Sequence, residues 1–363
     1  MRKLILASAS AMLLCGMAPA HAGDKWTYPV LVREPSLLPT TDKSAKATKA
    51  TYESLDSSDV SKKWHICVAM PNMDDPYYVA MNYGANQEAK RLGVQMTMAS
   101  AGGYENLTTQ INQIEDCVAQ GANAILVMAI SPTGLNQPIK EARSKGIAIV
   151  DLANGLDSPE IQARSKASWY SIGVALGDYM AARHPKGSGK TEILWLPGPA
   201  GAGWSEDVNR GFQESLKKAD SDIVIAATQY GDTEKGAQIK LVEDGMATYP
   251  KLKYIVGSAQ GADAGVQILR EHGRDKDINL VSSWITPHLD ELIRKGQVLA
   301  AVTDSVVMQT RIGMDQAVRI LEKKPYVKDV EPEIITVDVN TVKTYDQSTS
   351  MAPAGWKVTF HAD

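Results

Sequence analysis

Short apolar runs alternate with amphipathic segments of helical length along the body of the chain, which begins near Trp64. Apolar runs between turn signals are typical of buried strands, and apolar residues spaced three or four apart are typical of helices. The first series of elements predicts strands at 64–70, 94–99, 124–128 and 147–151, with helices at 76–92, 106–120 and 134–145. Strands that alternate with helices in this way indicate a parallel sheet covered by helices on both faces.

The same alternation starts again after a polar stretch near 155–168. It predicts helices at 169–183, 204–219, 233–248, 260–272 and 286–295, with strands at 191–196, 222–229, 253–257 and 278–283. A last strand at 298–303 and a helix at 306–323 follow. The doubled pattern therefore predicts an α/β protein of two doubly wound parallel-sheet lobes joined by a hinge.

The order of the elements also predicts the domain boundaries. We assign 61–165 together with 304–330 to the N-terminal lobe, 166–303 to the C-terminal lobe, and 331–363 to a tail that packs across the lobes. Residues 23–60 show no apolar periodicity and are rich in Ser, Thr, Lys, Asp and Pro. Such a composition predicts an irregular N-terminal extension.

The first 22 residues have the features of a signal peptide. Arg2 and Lys3 precede an apolar run at 4–17, and residues 20–22 read AHA, which fits the A-x-A cleavage rule. The run is shorter than the roughly 20 residues that a membrane helix needs. Cys15 raises the alternative of a lipoprotein, but the residues before it are not small. We therefore expect cleavage after Ala22, a periplasmic location and no direct membrane insertion.

Composition excludes several classes of partner and leaves one pair of cysteines. A net charge of -4 with 22% charged residues is ordinary for a globular protein, and it argues against nucleic acid or an anionic lipid surface as partner. Cys67 and Cys117 remain after removal of the leader, in an oxidising compartment where a pair can persist as a disulfide. We expect them to be bonded, and two buried free thiols are the alternative.

The motifs of enzymes and metal sites are missing from the sequence. The histidines are scattered without an HExxH pattern, and no Gly-x-Ser-x-Gly elbow is present. The glycine-rich stretch 198–203 follows a strand but lacks the Lys-Ser/Thr pair of a phosphate-binding loop, so we interpret it as a turn that permits close packing. The sequence thus predicts a binding protein without catalytic residues, metal or cofactor.

Aromatic residues are distributed in a way that suggests the ligand. The chain has only 2 Phe against 13 Tyr and 7 Trp. In doubly wound sheets ligands bind beyond the carboxyl ends of the strands. Five rings lie at such strand or helix ends: Tyr77, Tyr78, Tyr104, Trp169 and Trp284. Their π faces would suit a methylated cation, and stacking on a sugar ring is an equally open alternative.

Polar residues in the same loops keep the sugar alternative open. They are Asn72, Asp74, Asp75, Asn154 and Asp304. Asp304 lies at the expected hinge, where its carboxylate could balance a positive nitrogen or accept a hydroxyl proton from the ligand. Capping of the helix that begins near 306 is the other role expected for it.

Three segments resemble the type I periplasmic binding proteins, and in particular members that sense trimethylamine N-oxide. The segments are DPYYVAMNYG at 75–84, AGGY at 101–104, and LPGP at 196–199 with Gly203. The similarity extends from Trp64 to about Lys324. It implies the two-lobed fold and a sensory role together with a membrane-bound hybrid sensor histidine kinase. It also implies that the same five aromatic residues form a cage around the ligand.

The resemblance departs from these sensors at two rings, since the sensors have Trp at the position of Tyr78 and Tyr at that of Trp284. It implies a simple mechanism, in which the methyl groups face the rings and the oxygen accepts hydrogen bonds from Tyr or Trp donors. Contacts to both lobes would favour the closed state and change the surface offered to the kinase. The alternative function is the binding component of an ABC importer for a sugar or methylated amine.

Overall fold

The structure is a computed structural model, and it describes residues 24–39, 42 and 44–363. The predicted signal peptide at 1–22 lies outside the described residues. The strands are β1 (Thr27–Glu34), β2 (Lys46–Glu53), β3 (His65–Met70), β4 (Gln95–Ser100), β5 (Ala124–Val127), β6 (Ala148–Leu152), β7 (Ala163–Ser165), β8 (Thr191–Leu196), β9 (Ile223–Thr228), β10 (Leu252–Gly257), β11 (Asn279–Ser282), β12 (Ala300–Thr303), β13 (Asp329–Pro332), β14 (Ile335–Asp338) and β15 (His361–Ala362).

The helices cover the two faces of the sheets. They are α1 (Pro76–Leu92), α2 (Leu107–Ala119), α3 (Asn136–Ser144), α4 (Trp169–Arg183), α5 (Gly203–Lys218), α6 (Lys235–Thr248), α7 (Ala259–Glu271), α8 (Pro287–Arg294) and α9 (Val306–Leu321). The predicted bounds of α1 and α4 agree with the observed ones to the residue, because a capping side chain marks each start. Asp75 accepts from the backbone N of Tyr77, and Ser168 accepts from that of Ser171.

The strands form two sheets, one in each lobe. The N-terminal sheet has the order β15-β4-β3-β5-β6-β7-β13-β1-β2, and its central strands β4, β3, β5, β6 and β7 are parallel. The C-terminal sheet has the order β14-β12-β11-β10-β8-β9, with the parallel set running from β12 to β9. Every residue of β5 and β10 except Lys253 is buried, as expected for parallel strands covered on both faces. The predicted two-lobed α/β class is confirmed.

Among the described residues, three short segments connect the lobes, apart from the longer stretch 339–360 that returns from β14 to β15. The first, 166–168, joins β7 to α4, the second, 304–305, joins β12 to α9, and the third, 333–334, joins β13 to β14. We call these segments the hinge crossings. The helix α9 packs against α1, β5, β6 and β7 of the N-terminal lobe.

The prediction of an irregular extension at 23–60 is wrong for much of this segment. β1 and β2 pair in antiparallel register from Thr27 with Glu53 to Glu34 with Lys46, and β1 also pairs with β13. The residues of β2 are exposed except Tyr52, so the strand has no apolar alternation that a sequence pattern could reveal. Its pairing with β1, and a small apolar cluster around Val30, stabilise the hairpin instead.

Four other strands were missed because they are short or polar. β7 lies inside the stretch interpreted as polar, and β13, β14 and β15 lie at the C-terminal end. β13 joins the N-terminal sheet, β14 joins the C-terminal sheet, and β15 returns to pair with β4. The C-terminal segment therefore contacts both lobes in succession.

Cys67 in β3 and Cys117 in α2 form a disulfide, with their Cα atoms 5.9 Å apart. The bond lies in a fully apolar layer between the sheet and α2. Within the described part of the chain, the helices are all too short or too polar to cross a membrane.

Candidate functional site

The three predicted tyrosines lie together at the carboxyl edge of the N-terminal sheet. Asp75 and Pro76 begin α1 directly after β3, so the first turn of the helix places Tyr77 and Tyr78 at the cleft between the lobes. Their rings meet edge to face, with centroids 5.9 Å apart. Tyr104 follows β4, and its hydroxyl lies 3.4 Å from that of Tyr78. All three side chains come from the N-terminal lobe.

The C-terminal lobe contributes three tryptophans on the opposite side of the cleft. Trp169 begins α4, Trp204 lies in the first turn of α5, and Trp284 follows β11. The ring of Trp169 lies 5.0 Å from that of Trp204 and 6.3 Å from that of Trp284, measured between centroids. It also lies 6.4 Å from the ring of Tyr77 in the other lobe. We call these six side chains the aromatic cage.

The aromatic cage lines a small cavity between the lobes, together with Asp75, Met128, Asn154 and Thr233. The cavity is small, with a volume of about 30 Å³, which is well below the usual range for small-molecule sites in proteins. Five of the six rings were predicted from their positions in the chain. Tertiary structure brings all five to one place.

Trp204 was missed by sequence reasoning. From the sequence, we interpret the glycine-rich stretch 198–203, which follows a strand, only as a turn that permits close packing. Gly198 has φ +123°, and a Cβ placed there would collide with the Trp204 ring. The missing side chain at Gly198 therefore makes room for the sixth ring of the aromatic cage. A tryptophan at the start of a helix that follows a ligand-side loop was the signal that could have identified it.

Asp304 was predicted to contact the ligand, and its observed position is different. Its carboxylate accepts hydrogen bonds from the Tyr77 hydroxyl at 2.6 Å and from Gln309 Nε2 at 2.8 Å. It lies behind Tyr77 and does not line the cavity. The residue at the N-cap position of α9 is Ser305, and no side chain caps the helix, so Asp304 does not cap it either. The bond to Asp304 holds the Tyr77 hydroxyl on the side away from the cavity.

Burial shifts the ionisation of the groups around the cavity. Loss of solvent raises the pKa of Asp304, although the hydrogen bonds from Tyr77 and Gln309 oppose this effect. Burial likewise raises the pKa of Tyr77 and Tyr78 well above the usual value, and it raises that of Tyr104. The three tyrosine hydroxyls are therefore protonated at neutral pH. Tyr77 donates its proton to Asp304 and Tyr78 donates to Tyr104, so the Tyr104 hydroxyl is the one that can still donate to a ligand.

Asn154 is held in one orientation at the edge of the cavity. Its Nδ2 donates to the hydroxyl of Tyr104 at 2.8 Å and to the backbone oxygen of Ala129 at 2.9 Å. Because a carbonyl oxygen can only accept, this pair of bonds fixes which end of the amide carries the nitrogen. The Oδ1 of Asn154 is buried without a donor, and so are the Nε1–H groups of Trp204 and Trp284 without acceptors, among the residues described.

The two lobes also touch outside the aromatic cage. Gln260 of α7 donates through Nε2 to the carboxylate of Asp75, the residue that caps α1 in the other lobe. The outer part of the cleft has an excess of acidic over basic side chains: Asp74, Asp75, Glu105, Asp232, Glu234 and Asp263, against Lys235 and His288. Such a mouth disfavours anionic ligands. In the described part of the chain no group of three or more His, Cys, Asp or Glu residues could hold a metal ion.

Comparisons with known proteins agree with this architecture. A family model described as "periplasmic binding protein domain" matches residues 66–325. The periplasmic protein TorT of Escherichia coli K12 is 28% identical over 299 residues, which cover 82% of this chain and 84% of TorT.

Two solved structures resemble the chain at the level of the whole fold. An ABC transporter solute-binding protein from Bradyrhizobium sp. BTAi1, with bound Bis-Tris, is 42% identical with a TM-score of 0.82, covering 92% of this chain and 98% of that one. The complex of the TorS sensor domain with TorT in the presence of trimethylamine N-oxide (TMAO) matches at 32% identity and a TM-score of 0.75, covering 82% of this chain and 100% of that one. The chain therefore belongs to the periplasmic binding protein family, in which it is similar to TorT.

Proposed function

We propose that the protein acts in the periplasm, where it binds TMAO or a related methylated amine in the aromatic cage and signals to a membrane-bound sensor histidine kinase. One observation carries the proposal: six aromatic rings, three from each lobe, surround one small cavity. The nitrogen of TMAO gives its methyl groups positive potential, which the π faces attract. The oxygen can accept hydrogen bonds from the unpaired indole donors of Trp204 and Trp284 and from the Tyr104 hydroxyl.

The signalling part of the proposal rests on two supports. A ligand held by rings from both lobes favours the closed arrangement of the lobes, because only that arrangement offers all its contacts. Similarity to TorT, whose complex with the TorS sensor domain has been solved with and without TMAO, supports a kinase as the partner. Closure would change the surface that this partner meets.

A second candidate is the binding component of an ABC importer for a methylated amine or a sugar. It is favoured by the 42% identity to the Bradyrhizobium solute-binding protein, whose bound Bis-Tris is an amine that carries several hydroxyl groups. The acidic mouth of the cleft and the acceptor Asn154 Oδ1 suit a ligand of this kind as well. The two candidates share the site and differ in the partner.

Calorimetry on the mature chain tests the ligand. We expect TMAO to bind, with weaker binding of glycine betaine and choline and none of ribose or allose. Tight sugar binding without a response to TMAO would refute the proposed ligand. The partner is tested separately, by measuring association with the periplasmic domain of a sensor kinase encoded beside the gene, with and without TMAO. A neighbouring permease that binds the chain, in place of a kinase, would favour the importer.

A further inference from the structure

Two buried hydrogen-bond donors in the aromatic cage have no acceptor among the residues that the structure describes. They are the Nε1–H groups of Trp204 and Trp284, whose side chains are 6% and 5% exposed. Both side chains line the cavity, and their ring centroids lie 6.0 Å apart. Because buried donors in proteins are nearly always paired, these groups point to a ligand that supplies an acceptor.

Tryptophans outside the aromatic cage behave differently. Trp195, buried in the C-terminal core, donates from Nε1 to Asn209 Oδ1 at 2.8 Å. Three others donate to protein oxygens in the same way: Trp26 to Glu88, Trp64 to Glu322 and Trp356 to Asn82. These four indole N–H groups are all paired with protein oxygens, whereas the two unpaired groups, those of Trp204 and Trp284, line the cavity.

We propose that Trp204 and Trp284 form an oxygen-recognition pole, which makes the site selective for a methylated N-oxide over a methylated ammonium ion. This inference rests on the proposed function and narrows it. An ammonium ion satisfies the rings but offers no acceptor, so it leaves both indole donors unpaired at a cost in free energy. Among the described residues that line the cavity, one buried acceptor, Asn154 Oδ1, also lacks a partner. The cavity therefore has two unpaired donors and one unpaired acceptor.

Tetramethylammonium tests the pole, because it has nearly the shape of TMAO without the oxygen. We expect calorimetry to show that the wild-type chain binds TMAO at least about tenfold more tightly. Trp204→Phe and Trp284→Phe keep a ring and remove the N–H group. Each is expected to weaken TMAO binding about tenfold and to change tetramethylammonium binding by less than about threefold. Trp195→Phe is the matched control, with both affinities unchanged.

Two results would speak against the inference in different ways. Equal affinity for the two compounds, unaffected by Trp204→Phe or Trp284→Phe, would overturn the oxygen-recognition pole and leave the aromatic cage and the proposed function in place. Failure of the wild-type chain to bind either compound would overturn the proposed function, and the pole with it.

A separate observation concerns the hairpin of β1 and β2, which contacts the second hinge crossing directly, pairs with the strand that leads into the third, and is linked to the first through Glu331. The Tyr28 hydroxyl donates to Ser305 Oγ at 2.8 Å, in the second crossing. Val30 pairs with Pro332, the last residue before the third crossing.

The hairpin is linked to the first crossing through the carboxylate of Glu331 in β13. Glu331 accepts from Arg33 Nε at 2.7 Å and from the backbone N of Ser168 at 2.8 Å. Ser168 caps the helix that begins with Trp169, so this chain of bonds runs from the hairpin to a residue of the aromatic cage. The carboxylate of Glu331 is fully buried, which strengthens both bonds.

We infer that this hairpin acts as a hinge clamp that favours the closed arrangement of the lobes. Closure of a two-lobed protein changes the backbone torsions of the crossings, and contacts to the crossings therefore bias the equilibrium. The lobes are in contact in this structure, as the hydrogen bond from Gln260 to Asp75 shows. The hairpin contacts to the crossings are present in this same arrangement of the lobes. The hairpin would thus raise ligand affinity without touching the ligand.

Tyr28→Phe and Arg33→Met each remove one contact of the clamp and keep most of the side-chain volume. We expect each to raise the Kd for TMAO about three- to tenfold, because one hydrogen bond is lost from the closed state. Tyr52→Phe is the matched control: its hydroxyl donates to Asp315 within the N-terminal lobe, away from the crossings. Its affinity is expected to equal that of the wild type.

Two further measurements do not depend on a bound ligand. In Arg33→Met, hydrogen exchange at the Ser168 amide should be faster, and small-angle scattering of both variants should indicate a more open shape. Unchanged scattering and unchanged Kd in both variants, with folding intact by circular dichroism, would overturn the hinge clamp.

Discussion

The ring of Tyr77 lies 6.4 Å from that of Trp169, and the two residues belong to different lobes. Each begins a helix that is held by a capping side chain, Asp75 for Tyr77 and Ser168 for Trp169. The contact therefore reports directly on the distance between the lobes. Any ligand that binds between these rings is coupled to closure.

Trp169→Ala should weaken TMAO binding by more than about 1 kcal/mol, because it removes the ring that contacts Tyr77, Trp204 and Trp284. Calorimetry measures the loss. Trp169→Phe keeps an aromatic face and should lose less. An unchanged affinity in Trp169→Ala would mean that the ligand binds elsewhere.

The hydrogen bond from Tyr77 to Asp304 should contribute to ligand binding only because it holds the Tyr77 ring in one orientation. Tyr77→Phe and Asp304→Leu, which remove the donor and the acceptor respectively, are each expected to weaken TMAO binding by about 1 kcal/mol. The double variant should be little worse than either single one, because both remove the same bond. Additive losses in this double-mutant cycle would instead mean that the two groups contact the ligand independently.

TMAO affinity should stay level from about pH 6 to about pH 9, where an ordinary tyrosine is still protonated. Burial raises the pKa of Tyr77, Tyr78 and Tyr104, so their hydroxyls keep the proton to higher pH than in the unfolded chain. These groups contribute to the free energy of unfolding at pH values below their pKa in the unfolded chain. The contribution is lost as the pH rises through their pKa in the folded protein. Titration calorimetry at several pH values checks the level range. A steep loss of affinity below pH 9 would contradict it.

Gly198→Ala should disturb the aromatic cage, because a Cβ at this position meets the ring of Trp204. We expect a loss of TMAO affinity of at least about tenfold, together with a lower Tm. Gly201→Ala is the matched control. Its φ is +77°, but nothing lies near its Cβ, so it should lower Tm through backbone strain and leave affinity largely unchanged. Equal affinities in the two variants would contradict this role of Gly198.

Removal of the disulfide by Cys67→Ala with Cys117→Ala should lower the free energy of unfolding by about 2–4 kcal/mol. The bond closes a loop with a sequence separation of 50, and it lies in the apolar layer under α2. Denaturant unfolding measures the loss. Because neither cysteine lines the cavity, the TMAO affinity of the folded variant should equal that of the wild type.

Elements with a strong local pattern were predicted well. α1 and α4 were located to the residue, since each combines an apolar face with a capping side chain. β2 was missed because it exposes seven of its eight residues, and its stability comes from β1 rather than from its own sequence. A strand of this kind leaves no periodic signal.

The sequence by itself determined the order of strands and helices, and through it the two lobes and the sheet edges that face the cleft. It also determined five of the six cage positions, because the carboxyl ends of parallel strands meet at one edge wherever the strands lie in the sheet. Tertiary structure alone decided that Trp204 joins them, that Asp304 stands behind Tyr77, and that the hairpin reaches the hinge crossings. These features depend on contacts between residues far apart in the chain, such as Tyr28 with Ser305, and no local pattern records such contacts.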